Sequence, residues 1–142
     1  MKLRKAEWTM LIGVDTGFFI SQMTGQPRAV QIWQEFLEGK HQFVVSTLTI
    51  HEIFIYFYKR GTGELATEWL SSLTAIDNII MIPVSIAIAA QSARFRHGMG
   101  LPAVDSLLLS TFLHRRCELI ISTDNHFRVV DQQKILPVEL LT

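Results

Sequence analysis

Cysteine, net charge and long apolar runs are all scarce in this chain, and each scarcity excludes something. A single cysteine in 142 residues cannot close an intramolecular disulfide, so the fold rests on its core, and a lone thiol suits a reducing cytosol. That residue, Cys117, opens an apolar strand, where a buried thiol is expected. Thirteen basic residues balance thirteen acidic ones. No global field therefore announces a polyanion binder, and such a ligand would need a local basic patch or a bound cation. No apolar run reaches the roughly 20 residues that span a bilayer. The longest uncharged segment, residues 78–93, contains Pro83 and reads as strand, turn and helix. At the N-terminus MKLRKAEWTMLIGVD carries basic residues, but Asp15 stops its apolar run too early for a signal-peptide core. The expected location is cytoplasmic, with no membrane partner.

Several motifs are missing as well. There is no GxGxxG, no GxxxxGK and no GxSxG. His51-Glu52 starts like the zinc-protease HExxH, but Ile55 stands where the second histidine ligand belongs. Asp15-Thr16-Gly17 starts like an aspartyl-phosphate phosphatase loop, and Gly17 occupies the place of its second acid.

Apolar residues are plentiful, at 49% with a mean hydropathy of +0.27. The length is that of one domain, 1–142, apolar enough to keep some surface for a partner. MLIGV at 10–14 reads as a short buried strand ending at Asp15, followed by a short helix. A helix over 28–38 shows Val30, Ile32, Trp33, Phe36 and Leu37 at helical spacing, with Gly39 just past its end. A strand at 43–46 runs into a helix over 49–59, closed by Gly61, that is apolar almost all round. Such a helix is either the central core helix or partly buried in an interface. Further helices are expected over 64–73 and from Ser85 to about residue 97, flanking a strand at 79–84. Pro102 fits the start of another helix, which carries Val104, Leu107, Leu108 and Phe112 at helical spacing; a strand, CELIIS, and a last short strand at 135–140 follow. Alternating short strands and helices predict a three-layer α/β/α sandwich around a parallel sheet of about four to five strands.

In such a sheet every strand ends on one edge, and that edge is where ligands bind. Asp15 leaves the first strand, Glu52 sits in the first turn of the helix after the second, Asp105 opens the helix before the fourth, and Asp124 leaves the fourth. All four are expected on the exit edge, whereas Asp77 and Glu118 precede strands and fall opposite. Each acid has a bland reading: Asp15 and Asp124 as caps, Asp105 as a helix-dipole partner, Thr49-x-x-Glu52 as a capping box. Together they are different, because carboxylates crowded in one cleft repel unless a cation is present. Oxygen-only ligands select Mg²⁺ or Mn²⁺. Such an ion acidifies water and neutralises charge on a phosphodiester's leaving oxygen. Thr16 and Ser122 are placed to hydrogen-bond the carboxylates or a metal water. His126 beside Asp124 and His51 beside Glu52 raise a mixed histidine and carboxylate site, set against surface roles for lone histidines; His51 points about 100° from Glu52 on a helix. Arg94, Arg96 and His97 are the preferred RNA-binding cations because they precede the loop to Asp105. His114, Arg115 and Arg116 sit at a helix C-terminus, where the dipole alone favours them.

The ordered set VDT at 14–16, STLTIHE ending in Glu52, GLPAVDSLLLS around Asp105 and ISTDNHF around Asp124 resembles the PIN-domain nucleases, most of all the VapC-type toxins. The resemblance covers essentially the whole chain. It implies a Mg²⁺- or Mn²⁺-dependent endoribonuclease with Asp15, Glu52, Asp105 and Asp124 as its acidic cluster, a homodimer, and a cognate antitoxin that blocks the site. Two residues depart from the family pattern. Gly17 replaces a polar residue, implying weaker hydrogen bonding near the acids, and Leu109 stands where alanine is common, implying altered helix packing. The competing readings are a catalytically silent PIN-like interaction module and a metal-dependent phosphatase acting on small phosphoesters.

Overall fold

The computed structural model describes residues 9–142, so the basic stretch at residues 1–8 lies outside the described residues. Five strands, β1 (Met10–Val14), β2 (His41–Ser46), β3 (Ile79–Ile82), β4 (Leu119–Ser122) and β5 (Val138–Leu140), form one sheet in the order β3-β2-β1-β4-β5. Every pairing is parallel. The parallel α/β architecture expected from the alternation of elements is therefore the one observed. β1 is central because it is apolar and small enough to be covered on both faces, with Ile12 opposite Phe43 on one side and Leu119 on the other.

The helices are α1 (Thr16–Met23), α2 (Pro27–Leu37), α3 (Thr47–Lys59), α4 (Gly63–Thr74), α5 (Ile86–Met99), α6 (Ala103–His114) and α7 (Arg128–Gln132). Two apolar clusters result. One is rich in aromatics, with Phe36 and Phe43 stacked at 4.1 Å and Phe18 and Phe19 meeting edge to face. The other packs Leu108, Leu109 and Phe112 of α6 over Ile120, with Phe127 beside them. Gly13 makes that second contact possible, because a Cβ there would lie 2.5 Å from the Phe112 ring. Leu109 is fully buried, so the larger side chain at that position fills core volume. Cys117 is buried as expected, and burial pushes its thiol up to about 12, leaving it inert as a nucleophile at neutral pH.

Boundaries differ from the sequence reading in informative ways. α3 starts at Thr47, because Ser46 caps it by accepting from the Leu48 N–H at 3.1 Å. Glu52 therefore sits in the second turn, and no capping box forms from Thr49, which is buried with its hydroxyl unpaired. β2 extends back to His41, β3 stops at Ile82, and the last strand is confined to Val138–Leu140. The short helix α7 and a 3₁₀ turn at Asn125–Phe127 carry no apolar periodicity long enough to be read from sequence. α3 buries Ile53 and Phe57 and leaves Ile55 and Tyr58 exposed, so core packing accounts for one of its faces only.

Candidate active site

The exit edge of β1 and β4 is where the acidic side chains meet. Asp15 follows β1 directly and caps α1, its Oδ1 accepting from the Phe18 N–H at 3.0 Å. The Ser122 hydroxyl, at the end of β4, donates to Asp15 Oδ2 and accepts from the Asp124 N–H at 2.9 Å. One buried hydroxyl thus links the two strand-exit acids. Asp124 caps the following 3₁₀ turn by accepting from the His126 N–H at 2.9 Å, which turns the His126 ring inward. Its Nδ1 then lies 2.9 Å from Asp124 Oδ1 and 3.1 Å from Asp105 Oδ2. Asp105 reaches this point from the first turn of α6, where the helix N-terminus favours a negative charge.

Burial first, then the neighbouring acids Asp124 and Glu52, lift the Asp15 carboxyl to about 6 against the opposing bonds from Ser122 and Phe18. Burial and the Asp124 charge likewise lift Asp105 to about 6, with His126 opposing. His126 is raised in turn, chiefly by Asp124. The electrostatic reach of Asp124 to both Asp15 and Asp105 makes it the centre of the group. Glu52 stands at the margin. It acts on Asp15 and accepts from the Thr16 hydroxyl at 2.6 Å, but the tight set of ligand atoms, within 4.8 Å of one another, is Asp105, Asp124 and His126.

The sequence reading put the four acids, Thr16 and Ser122 on this edge, and the structure brings them there. It undervalued His126. The available signal was the spacing: a histidine two residues after an acid that leaves a strand lands beside it once that acid caps the turn. His51 is exposed and takes no part. Gly17 has a steric reason, since a Cβ there would fall 2.0 Å from the Thr123 hydroxyl. Arg94 is exposed on α5, while Arg96 donates to the Leu101 carbonyl at 3.2 Å and lines, with His97 and Gly100, a hollow of about 500 Å³ before Asp105.

The donor set fits a divalent ion. Two carboxylates and an imidazole nitrogen converge within coordination reach, and a third carboxylate held by Ser122 stands behind them. A cation would offset the burial and repulsion that raise Asp15 and Asp105.

A wholly parallel sheet with this cluster on its exit edge defines an α/β domain built for polyvalent cation and anion chemistry. The chain belongs to the PIN-domain family, whose model matches residues 12–133 and so includes every acid described above. Among solved structures it is similar to a toxin–antitoxin complex from Klebsiella pneumoniae, at 23% identity over 94% of this chain and 98% of the other, with a TM-score of 0.68. VapBC2 from Rickettsia felis, bound to a promoter DNA fragment, matches at 14% identity over 94% and 100%, with a TM-score of 0.71. Mycobacterium tuberculosis VapC20, a sarcin–ricin-loop cleaving toxin, matches at 15% identity over 77% and 86%, with a TM-score of 0.60. These likenesses establish a shared fold. No curated protein sequence matches the chain.

Proposed function

We propose that this chain is a metal-dependent endoribonuclease, the toxin of a toxin–antitoxin pair, that hydrolyses phosphodiester bonds of single-stranded RNA. The observation that carries the reading is the convergence of Asp105, Asp124 and His126 within 4.8 Å, beside a buried Asp15 held by Ser122. Asp15, Asp105 and Asp124 hold Mg²⁺ or Mn²⁺, with Glu52 at the rim. When bound, the ion supplies an acidified water and charge compensation on the phosphate. The chain's own residues do the positioning. Ser122 fixes Asp15 and the Asp124 backbone together, and Thr16 aims Glu52. His126 carries positive charge between two carboxylates, or a nitrogen lone pair once deprotonated, and an imidazole ligand tilts preference toward Mn²⁺ over Mg²⁺. Arg94 and Arg96 draw RNA phosphates toward the loop before Asp105.

The known complexes of similar fold contain antitoxins, which supports a cognate antitoxin as this chain's partner. A homodimer and a cytoplasmic setting complete the reading. Incubation of the pure protein with a mixed RNA pool and Mg²⁺ or Mn²⁺ tests it, with EDTA-treated protein and Asp105→Asn run beside it. RNA should be lost only with unaltered, metal-supplied protein. Equal loss in all samples would reveal contamination and end the claim. Intact RNA with hydrolysis of a small phosphomonoester would make the chain a phosphatase.

A further inference from the structure

A second hollow, of about 370 Å³, opens beside the carboxylates and is lined by Thr16, Glu52, Ile55, Tyr56, Lys59 and Arg60. On α3 the positions 52, 55, 56 and 59 follow one stripe of the helix, so the hollow runs from the acidic edge toward the cationic C-terminal turn. Lys59 lies about 10 Å along the axis from Glu52, at 1.5 Å per residue. That turn is more than a cationic helix end. The Arg60 guanidinium donates to the Tyr56 carbonyl at 3.1 Å and lies 3.7 Å over the centre of the Tyr56 ring. Ring and guanidinium are therefore stacked in advance, and the side-chain ordering that a ligand would otherwise impose is already done. Neither Lys59 nor Arg60 has a carboxylate partner among the described residues. Ile55, half exposed, adds an apolar wall.

We propose that this hollow is a subsite for the RNA strand flanking the cut, in which Lys59 holds a phosphate and the Tyr56–Arg60 pair offers its flat face to a base. The assignment rests on the ribonuclease reading and extends it. Single strands are recognised by this combination of cation and stacking platform. A polymer threaded into the carboxylate cluster needs a path for its next phosphates, and this cation-ended groove shares its Thr16 and Glu52 wall with that cluster.

The test uses full-length chain carrying Asp105→Asn, so that RNA is bound and not cut, and follows an unpaired RNA oligonucleotide by fluorescence anisotropy across a salt series. Lys59→Ala with Arg60→Ala should weaken binding by about tenfold or more, and should flatten the slope of log affinity against log salt by about 1.4, at about 0.7 per lost contact. Tyr56→Ala should weaken binding about five- to hundredfold through lost stacking, with the slope nearly kept, and Tyr56→Phe should restore affinity. In cutting-competent chain the double substitution should raise KM more than it lowers kcat. Circular dichroism confirms that each variant is folded. Unchanged affinity and slope, in a chain whose unaltered form cuts RNA, would overturn the subsite and leave the nuclease standing. Failure of the unaltered chain to cut RNA with either metal would remove both. Retained RNA binding with lost capture of a purified partner protein would hand the hollow to that partner and overturn the assignment.

Discussion

The two edges of the sheet treat their acids in opposite ways. At the entry edge each acid described has a partner: Glu118 accepts from the Leu11 N–H at 3.0 Å, Glu35 meets His41 at 2.9 Å, and Glu38 meets Lys40 at 3.1 Å. The His41 bond holds the Glu35 carboxyl below its ordinary range. At the exit edge Asp15 and Asp105 are buried among like charges and are lifted to about 6. The entry edge is arranged for folding. The exit edge carries an electrostatic cost that folding alone does not reward, which is the usual mark of a working site.

Substitutions that spare one edge and strike the other break this contrast most sharply. Asp105→Asn should reduce RNA cleavage at least about a hundredfold, beyond the ten- to hundredfold typical of an outer-sphere partner. Glu118→Gln, which keeps an acceptor for Leu11, should leave cleavage within about twofold. Initial rates on one RNA measure both, and comparable losses would dissolve the distinction. Protons should compete with the metal at the exit edge. With Asp15 and Asp105 both near 6, Mn²⁺ affinity by calorimetry should fall about a hundredfold from pH 7 to pH 5, and a flat profile would show that these carboxylates do not ligate. Ser122→Ala removes the hydroxyl that joins Asp15 to Asp124 and should cost about ten- to hundredfold in Mn²⁺ affinity with the fold retained.

Stability provides the finer tests. Gly17→Ala should destabilise by about 1–3 kcal/mol through its clash with Thr123, with Thr123→Ala restoring most of it in a denaturant titration. In metal-free protein the two edges should also titrate with opposite sign. Asp15 and Asp105 bind protons more tightly folded than unfolded, so their contribution is full below the ordinary carboxylate range and is lost as pH rises to about 6. Glu35, held low, contributes above that range and loses its contribution as pH falls. Asp105→Asn should therefore stabilise metal-free protein at pH 7 by about 1–2 kcal/mol. Glu35→Gln should destabilise it by no more than about 1 kcal/mol. Melting curves across pH separate the two, and an Asp105→Asn variant that melts lower would contradict the strain assigned to the exit edge.

Much of this was legible beforehand, for identifiable reasons. Strict alternation of short β-branched runs with amphipathic stretches specifies a parallel sheet, and parallel topology sorts acids by whether they follow or precede a strand. That rule placed Asp15, Asp124 and Asp105 without any coordinate. It misjudged the start of α3, because Ser46 and Thr49 are both capable caps and only packing chose between them. It passed over His126, because a histidine in a short turn has no periodicity to announce its direction.

The order of residues alone determined which acids share an edge, since side-chain polarity and strand period are local properties. Tertiary structure decided the rest: that Ser122 bridges two carboxylates, that His126 joins them, and that Arg60 lies over Tyr56. Those outcomes depend on distances of a few ångströms between segments far apart in the chain, and such distances are settled only when the core beneath them closes.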